Sequence, residues 1–277
     1  MIDFTDSPQF IPHTQKALNY TPHDVKWVPS SARLVSMGAT AGAKGILEIY
    51  ALSGGELKKT AEAEHKHSFK CSTFGASTLE ERNLATGDWS GGLSVWDLDH
   101  LSSGPSLSLS TAHAGIINTI DGVGGLEGRG HGAPELVTGS KDGCVRVWDL
   151  RVSNPVLSLQ PSPGDAKRDC WAVAFGDSHN DAERTLAAGY DNGDVKLFGT
   201  HYPVKRSSSS SSPSSPFSFP SSSSSSSPSS PGTLSLLNSR VLSSQPLVAL
   251  DWHRNKAGLC AIASLDQCLR VHIITKL

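Results

Sequence analysis

Few residues of this chain have the spacing that an active site requires. Gly128, Gly130 and Ala133 imitate the G-x-G-x-x-A fingerprint that holds a dinucleotide at the start of a helix. Pro134 follows at once and no βαβ unit surrounds the glycines, so we interpret residues 122–132 as a flexible connection between strands. The sequence has no G-x-S-x-G elbow, no P-loop and no H-E-x-x-H motif. It therefore predicts a protein that is not an enzyme and has no cofactor.

The cysteines and histidines do not form a metal-binding pattern. The 11 histidines are scattered, and the five cysteines stand far apart with no C-x-x-C pair: Cys71, Cys144, Cys170, Cys260 and Cys268. We expect neither a metal site nor a disulfide framework. Reduced thiols of this kind are typical of the cytoplasm or nucleus.

Charge and hydropathy exclude two classes of partner. Lys and Arg number 24 against 26 Asp and Glu, a net charge of −2, so the chain lacks the basic excess of a nucleic-acid binder. No segment approaches the roughly 18 apolar residues of a membrane helix, and no signal-peptide pattern opens the chain. We expect no nucleic acid and no membrane among the partners, and a cytoplasmic location.

One sequence unit recurs about every 50 residues, which is the mark of a repeat fold. In the three clearest copies a glycine stands nine positions before an aromatic residue: Gly87 and Trp96, Gly139 and Trp148, and Gly189 and Phe198. Two looser copies lie at 45–50 and 262–273, so there are five in all.

Each unit has the pattern of antiparallel strands. An apolar strand, a turn with Gly and Asp, Asn or Ser, and an alternating strand form a hairpin. A further strand precedes the hairpin, with apolar residues at every second position: Val25 and Trp27; Trp171, Val173 and Phe175; Val248, Leu250 and Trp252. About four strands per unit, stacked radially, predict an all-β propeller.

The third unit resembles the WD-repeat β-propeller family. Residues 139–143 followed by Val147, Trp148 and Asp149 match its signature. The resemblance implies a buried, purely structural hydrogen-bonded tetrad of His113, Thr138, Asp142 and Trp148. The other units depart from the pattern, because Ser90 and Asn192 replace the turn aspartate and His272 stands where a tryptophan is expected.

The domain organisation follows from the repeats and one low-complexity tract. Residues 1–206 hold four units and residues 232–277 the last one. Between them, residues 207–231 comprise 18 Ser, 5 Pro and 2 Phe, a composition that predicts a disordered loop. The β-compatible piece at 9–13 is expected to complete the last unit and so close the ring.

Several strings resemble one branch of the WD-repeat family, the dynein-arm assembly factors of the Monad family: 71–77, 121–126, 167–176, 189–194 and 275–277. That branch has seven blades, and about two blades' worth of sequence is missing here after Phe198. The resemblance implies a cytoplasmic co-chaperone adaptor that works with the RuvB-like ATPase and prefoldin-like complex. Its clients would be axonemal dynein heavy chains.

A scaffold of this kind would bind proteins through the turns on one face of the ring. We expect Trp89, Lys141 and Asp191 to cluster there with Arg168 and Asp169. Trp and Arg are frequent interface anchors, which makes Trp89 and Arg168 the first candidates. Each of these residues could equally be a solvated loop residue.

An alternative function is suggested by Trp148, Asp149 and Arg151. These residues match the W-D-x-R box of propellers that dock on the damaged-DNA-binding adaptor of cullin-RING ubiquitin ligases. The chain would then be a substrate receptor. Alternatively, Arg151 pairs with a neighbouring acidic side chain.

Overall fold

A computed structural model describes residues 8–77, 82–122, 135–160, 169–173, 183–189, 194–201, 233–253 and 256–275. Within these ranges the backbone forms 19 β-strands and two 3-10 turns, Phe74–Ala76 and Leu101–Ser103, and no α-helix. Nothing in the described ranges is a helix of the length and hydropathy that crosses a bilayer. The all-β class expected from the repeats is confirmed.

The strands form five antiparallel sheets, one for each repeat unit, which we number as blades 1 to 5. A first strand, β1 (Gln9–Ala17), precedes blade 1. Blade 1 contains β2 (Thr21–Trp27), β3 (Arg33–Ala39), β4 (Gly45–Ser53) and β5 (Glu56–His65). Blade 2 contains β6 (Phe69–Thr73), β7 (Asn83–Asp88), β8 (Leu93–Asp97) and β9 (Leu107–Leu109).

Blade 3 contains β10 (Ile117–Gly122), β11 (Glu135–Ser140), β12 (Val145–Asp149) and β13 (Leu157–Leu159). Blade 4 has three described strands, β14 (Glu183–Gly189), β15 (Asp194–His201) and β16 (Thr233–Val241). Blade 5 contains β17 (Leu247–Trp252), β18 (Leu259–Ser264) and β19 (Cys268–Thr275).

The tight turns within the blades depend on glycine. Gly143, in the β11–β12 turn, has φ +81° and Gly91, in the β7–β8 turn, has φ +91°. Residues other than glycine rarely adopt this left-handed backbone conformation. A Cβ on Gly91 would also lie 2.3 Å from the carbonyl oxygen of His113, so the turn must lie directly against the loop that enters blade 3.

Strand β1 closes the last blade. It pairs antiparallel with β19 from Gln9 opposite Thr275 to Ala17 opposite Cys268, and it is the fourth strand of blade 5. Phe10 of β1 is only 2% exposed and packs with Ile262 and Ile274. The two ends of the described chain are thus joined by main-chain hydrogen bonds and by apolar packing.

Apolar cores lie between neighbouring blades, and the large aromatic side chains are part of them. Trp96 of blade 2 packs against Met37 and Ile49 of blade 1. Trp148 of blade 3 packs against Leu93 and Val95 of blade 2. Further clusters join blade 5 to blade 1 and blade 4 to blade 5. These wedged rings are the physical basis of the radial stacking.

The far side of blade 3 is uncovered. Leu107 and Leu109 of β9 pack into the core between blades 2 and 3. Leu157 and Leu159 hold the same register positions on β13, yet they are 52% and 58% exposed. No described residue of blade 4 covers them as blade 3 covers blade 2.

Of the strand expected at Trp171, Val173 and Phe175, the described residues 171–173 are not in a strand, so this part of the prediction was wrong. Phe175 lies outside the described residues, and Trp171 is 68% exposed. The backbone of Cys170 instead bonds to blade 3, because its N–H donates to the carbonyl of Ser140 at 3.0 Å. An alternating pattern forms a strand only where a partner strand is available, and no described strand pairs with residues 169–173.

Candidate functional site

The four predicted tetrad residues of blade 3 form one hydrogen-bonded chain. The indole N–H of Trp148 donates to Thr138 Oγ1 at 2.8 Å, and the same hydroxyl lies 2.8 Å from His113 Nε2. His113 Nδ1 lies 3.2 Å from both carboxylate oxygens of Asp142. Because the carboxylate of Asp142 can only accept, the single ring proton lies on Nδ1 and is donated to Asp142, so Nε2 accepts from the Thr138 hydroxyl.

Burial and local donors set the protonation of this tetrad. Burial lowers the pKa of His113 against the pull of Asp142, so the ring is neutral at pH 7. Burial opposes ionisation of Asp142, yet the backbone N–H groups of Ala114 and Cys144 and the nearby His113 lower its pKa to about 2. A carboxylate therefore holds the β11–β12 turn at neutral pH.

The order Thr138, His113, Asp142 resembles a hydroxyl nucleophile with its base and orienting acid. Thr138 has 0% exposure and Trp148 bonds to its oxygen, so no substrate can reach the hydroxyl. A nucleophile must lie within reach of a reacting carbon. The geometry fits a structural set of hydrogen bonds and not a catalytic one.

Blade 2 has a related set that the sequence interpretation missed. Trp96 Nε1 donates to Thr86 Oγ1 at 3.0 Å, and His65 Nδ1 lies 4.0 Å from Asp88 Oδ2. Asp88 Oδ1 also accepts the backbone N–H of Ser90 and of Gly92, at 2.7 and 2.8 Å. Ser90 does occupy the usual place of the turn aspartate, but the carboxylate is supplied from two positions earlier.

Blade 5 replaces the set with an ion pair. Arg270 binds Asp266, which also accepts from the hydroxyls of Ser243 and Ser264 at 2.9 and 2.5 Å. Burial opposes ionisation of Asp266, and the Arg270 guanidinium and these hydroxyls nevertheless hold its pKa well below the usual range. His272, at the tryptophan position, is 4% exposed.

The turns of neighbouring blades meet on one face of the ring. The N–H of His113, before β10, donates to Gly91 O at 2.9 Å. Ser140 Oγ, at the β11–β12 turn, donates to Gly115 O at 3.1 Å. The loop that carries His113 therefore connects the β7–β8 turn to the β11–β12 turn. Hydrogen bonds therefore connect the tetrad to both turns.

Two of the predicted partner-binding residues lie at these turns. Trp89 is 46% exposed, its ring lies 5.6 Å from that of His23, and Lys70 Nζ lies 5.8 Å from its centroid. Lys141 is exposed at the β11–β12 turn. Asp169 is half-buried beside the segment that bonds to Ser140. Arg168 and Asp191 lie outside the described residues.

Arg151 of the W-D-x-R box forms a bidentate pair with Asp149. Its Nη2 donates to Asp149 Oδ2 at 2.5 Å and its Nε to Oδ1 at 3.0 Å. This pair lowers the pKa of Asp149 to about 2. The Arg151 side chain is 71% exposed, so the pair is on the surface. The box has the local geometry expected of the intrachain pair.

The inner strands of blades 1, 2, 3 and 5 end around a cavity of about 180 Å³ that includes Trp27 and His253. Next to it, Asp24 accepts from Ser72 Oγ at 2.7 Å and lies 3.3 Å from Lys26 Nζ. These contacts join β2 to β6 across two blades. In the described part of the chain, no group of His, Cys, Asp and Glu could hold a metal ion.

No protein-family model matches the chain. The curated proteins called dynein axonemal assembly factor 10 do match it. The Xenopus laevis protein is 37% identical over 355 residues, which cover 98% of each chain. The human protein is 36% identical with the same coverage, and that of Chlamydomonas reinhardtii is 36% identical over 358 residues, covering 100% of this chain and 99% of its own.

The same alignments show where the chain is short. The Xenopus laevis alignment has 355 positions and the chain has 277 residues, so at least 78 positions have no residue here. This shortfall exceeds one repeat unit and approaches two. It agrees with the expectation that about two blades' worth of sequence is missing.

Proposed function

This chain belongs to the dynein axonemal assembly factor 10 family, and we propose on that premise that it acts as a non-catalytic scaffold in the assembly of dynein arms. The observation that carries the proposal is the match over nearly the whole of both chains. The aligned region includes all five blades.

The structure supports a scaffold and not an enzyme. Among the described residues, the set that resembles a catalytic group is Thr138, His113 and Asp142, and Thr138 and His113 are buried and hydrogen-bonded within it. The exposed groups lie on turns that a rigid ring holds in place. Rigid loops on a stable ring present binding residues at little entropic cost.

The finer part of the proposal concerns partners and location. The chain would act in the cytoplasm as a co-chaperone adaptor, with the RuvB-like ATPase and prefoldin-like complex on one side and dynein heavy chains on the other. Trp89 would be the anchor of this face. Its ring is large and amphipathic, and His23 and Lys70 hold it in place. Lys141 would lie at the rim.

The blade 3 tetrad would position this face without contacting the partner. Asp142 and His113 join the β11–β12 turn to the preceding loop, and that loop contacts the β7–β8 turn at Gly91. Loss of the tetrad should therefore loosen two turns together.

The proposal is tested by affinity purification of the tagged chain from ciliated cells. We expect RuvB-like ATPases and dynein heavy chains in the bound fraction. Trp89→Ala should lower their recovery by about tenfold, as a hot-spot tryptophan does. Arg151→Ala, which removes an exposed side chain outside the Trp89 turn, serves as the matched control and should leave recovery unchanged.

Two results would contradict the scaffold role in dynein assembly. One is recovery of cullin and its adaptor, lost on Arg151→Ala, which would instead support the ligase receptor. The other is turnover of a substrate by the purified protein.

A further inference from the structure

A cleft of about 290 Å³ lies where the closing strand β1 meets blade 4. We call it the closure cleft. Its walls are residues 12–15 of β1, residues 240–242 at and just beyond the end of β16, and Arg270 and His272 of β19. All these residues are described, and none of them is acidic. The cleft therefore has a basic lining next to the seam that closes the ring.

The two guanidinium groups of the cleft differ in how their charge is balanced. Arg270 is paired with Asp266. Arg240 Nη1 donates to the carbonyl oxygen of Phe10 at 2.8 Å, and in the described part of the chain no carboxylate lies within ion-pair distance of it. Among the described residues, the Arg240 guanidinium is thus the one positive charge of the cleft without a carboxylate partner. An arginine without a carboxylate partner retains donors for an anion.

His272 supplies a second, independent sign of a missing partner. The residue is 4% exposed, and its Nδ1 is buried without a hydrogen-bond partner among the described residues. Burial, together with the charges of Arg270 and Arg240, lowers its pKa to about 4. A buried nitrogen without a partner is costly. A bound anion would offset the two positive charges and favour the protonated ring.

The backbone of β1 is irregular at the same place. The pairing with β19 shifts register between Pro12 and Thr14, which leaves His13 without a partner in the ladder. Bulges of this kind free main-chain groups and are common beside binding sites. Here the bulge forms one wall of the closure cleft, and the exposed imidazole of His13 belongs to it.

We propose that the closure cleft binds an oxyanion, a phosphate or carboxylate group carried by a peptide segment of a partner protein. Arg240 would be the main contact, because a guanidinium binds both groups in bidentate fashion. Arg270 would contribute a remote positive charge and His272 would pack behind the anion. The site does not depend on the dynein role, so its failure would leave that proposal untouched.

The test uses the purified full chain and three fluorescein-labelled peptides of equal length with neutral flanks. One carries a single phosphoserine, one a glutamate and one a serine at that position. Anisotropy should show saturable binding of the phosphoserine peptide, competed by inorganic phosphate, and none of the serine peptide. Binding of the glutamate peptide with similar affinity would identify a carboxylate as sufficient; its absence would identify phosphate as the group required.

Arg240→Gln should weaken binding at least tenfold, and Arg240→Lys should weaken it less. Lys16→Gln removes a charge from the exposed part of the same closing strand outside the cleft, and it should change binding less than twofold. Equal losses for Arg240→Gln and Lys16→Gln would overturn the proposal, because they would show diffuse attraction. So would the absence of saturable binding of both anionic peptides.

A measurement on the unaltered protein covers the case in which Arg240→Gln does not fold. Titration with the phosphoserine peptide should move the ring resonances of His272 and leave those of the exposed His100 in place. Movement of neither ring, with binding present, would place the anion elsewhere and refute the closure cleft.

Discussion

Thr138→Val tests the tetrad by removing one hydroxyl at almost constant volume. Thr138 is fully buried, and its oxygen accepts from Trp148 Nε1 and lies 2.8 Å from His113 Nε2. The substitution removes the partner of Trp148 Nε1 and of His113 Nε2. A buried polar group that loses its partner costs about 1–3 kcal/mol, so for two groups we expect the free energy of unfolding to fall by about 2–6 kcal/mol.

The assay is urea unfolding monitored by tryptophan fluorescence. A shift of the urea midpoint between variant and unaltered chain reports a change in stability when the m-value is the same for both. Thr119→Val is the matched control. Thr119 is half-buried on the adjacent strand β10, and its hydroxyl makes no hydrogen bond among the described residues. It should change the free energy of unfolding by no more than about 0.5 kcal/mol.

A double variant separates the hydrogen bond from general packing. The double variant Thr138→Val/Trp148→Phe should lose about 1 kcal/mol less stability than the sum of the two single variants. The reason is that either change alone already removes the hydrogen bond between the two side chains. If Thr138→Val costs no more than Thr119→Val, the tetrad does not stabilise the blade and the reasoning fails.

Three further predictions concern the closing strand, the turn carboxylate and a turn glycine. Phe10→Ala should destabilise the chain by about 3–5 kcal/mol, whereas Ile11→Ala on the same strand, at a side chain 46% exposed, should cost much less in the same urea assay. Equal effects would contradict closure through β1. The pKa of Asp142 is lowered to about 2, so its stabilisation is complete above the unfolded value near 4 and is lost as the pH falls from about 4 to 2. The difference in stability between the unaltered chain and Asp142→Asn should therefore shrink across that window, and a constant difference would count against the assignment. Gly91→Ala should lower the melting temperature more than Gly54→Ala, because both have positive φ but only Gly91 meets a backbone oxygen; similar melting shifts would show that the close contact is unimportant.

Local patterns were enough to predict the blades. The nine-residue interval from Gly139 to Trp148 spans a strand, a turn and a second strand, and that interval is a property of the backbone. The tetrad of blade 3 could be located because its four residue types stand at the intervals of the WD-repeat family. The structure brings all four together.

The sequence could not predict that a turn is held by a carboxylate from a different position of the repeat. Asp88 holds the β7–β8 turn from two positions before the expected aspartate, because a carboxylate can reach the same backbone N–H groups from either side of the turn. The signal was present as Asp88 and His65, but no spacing rule marked the pair. The ion pair of Arg270 and Asp266 in blade 5 joins residues only four positions apart, but no spacing rule of the family marks it.

Most strands and turns, and the aromatic wedges Trp96 and Trp148, could be read from local patterns, since they depend on residues close together in the chain. Which faces are covered depends instead on contacts between distant segments. Trp171 and Leu157 have the patterns of buried strand residues but remain exposed, because burial requires a neighbouring surface and no described residue of blade 4 provides it. The closure cleft has the same origin, since Arg240 and strand β1 are distant in sequence and meet only when β1 pairs with β19 of blade 5.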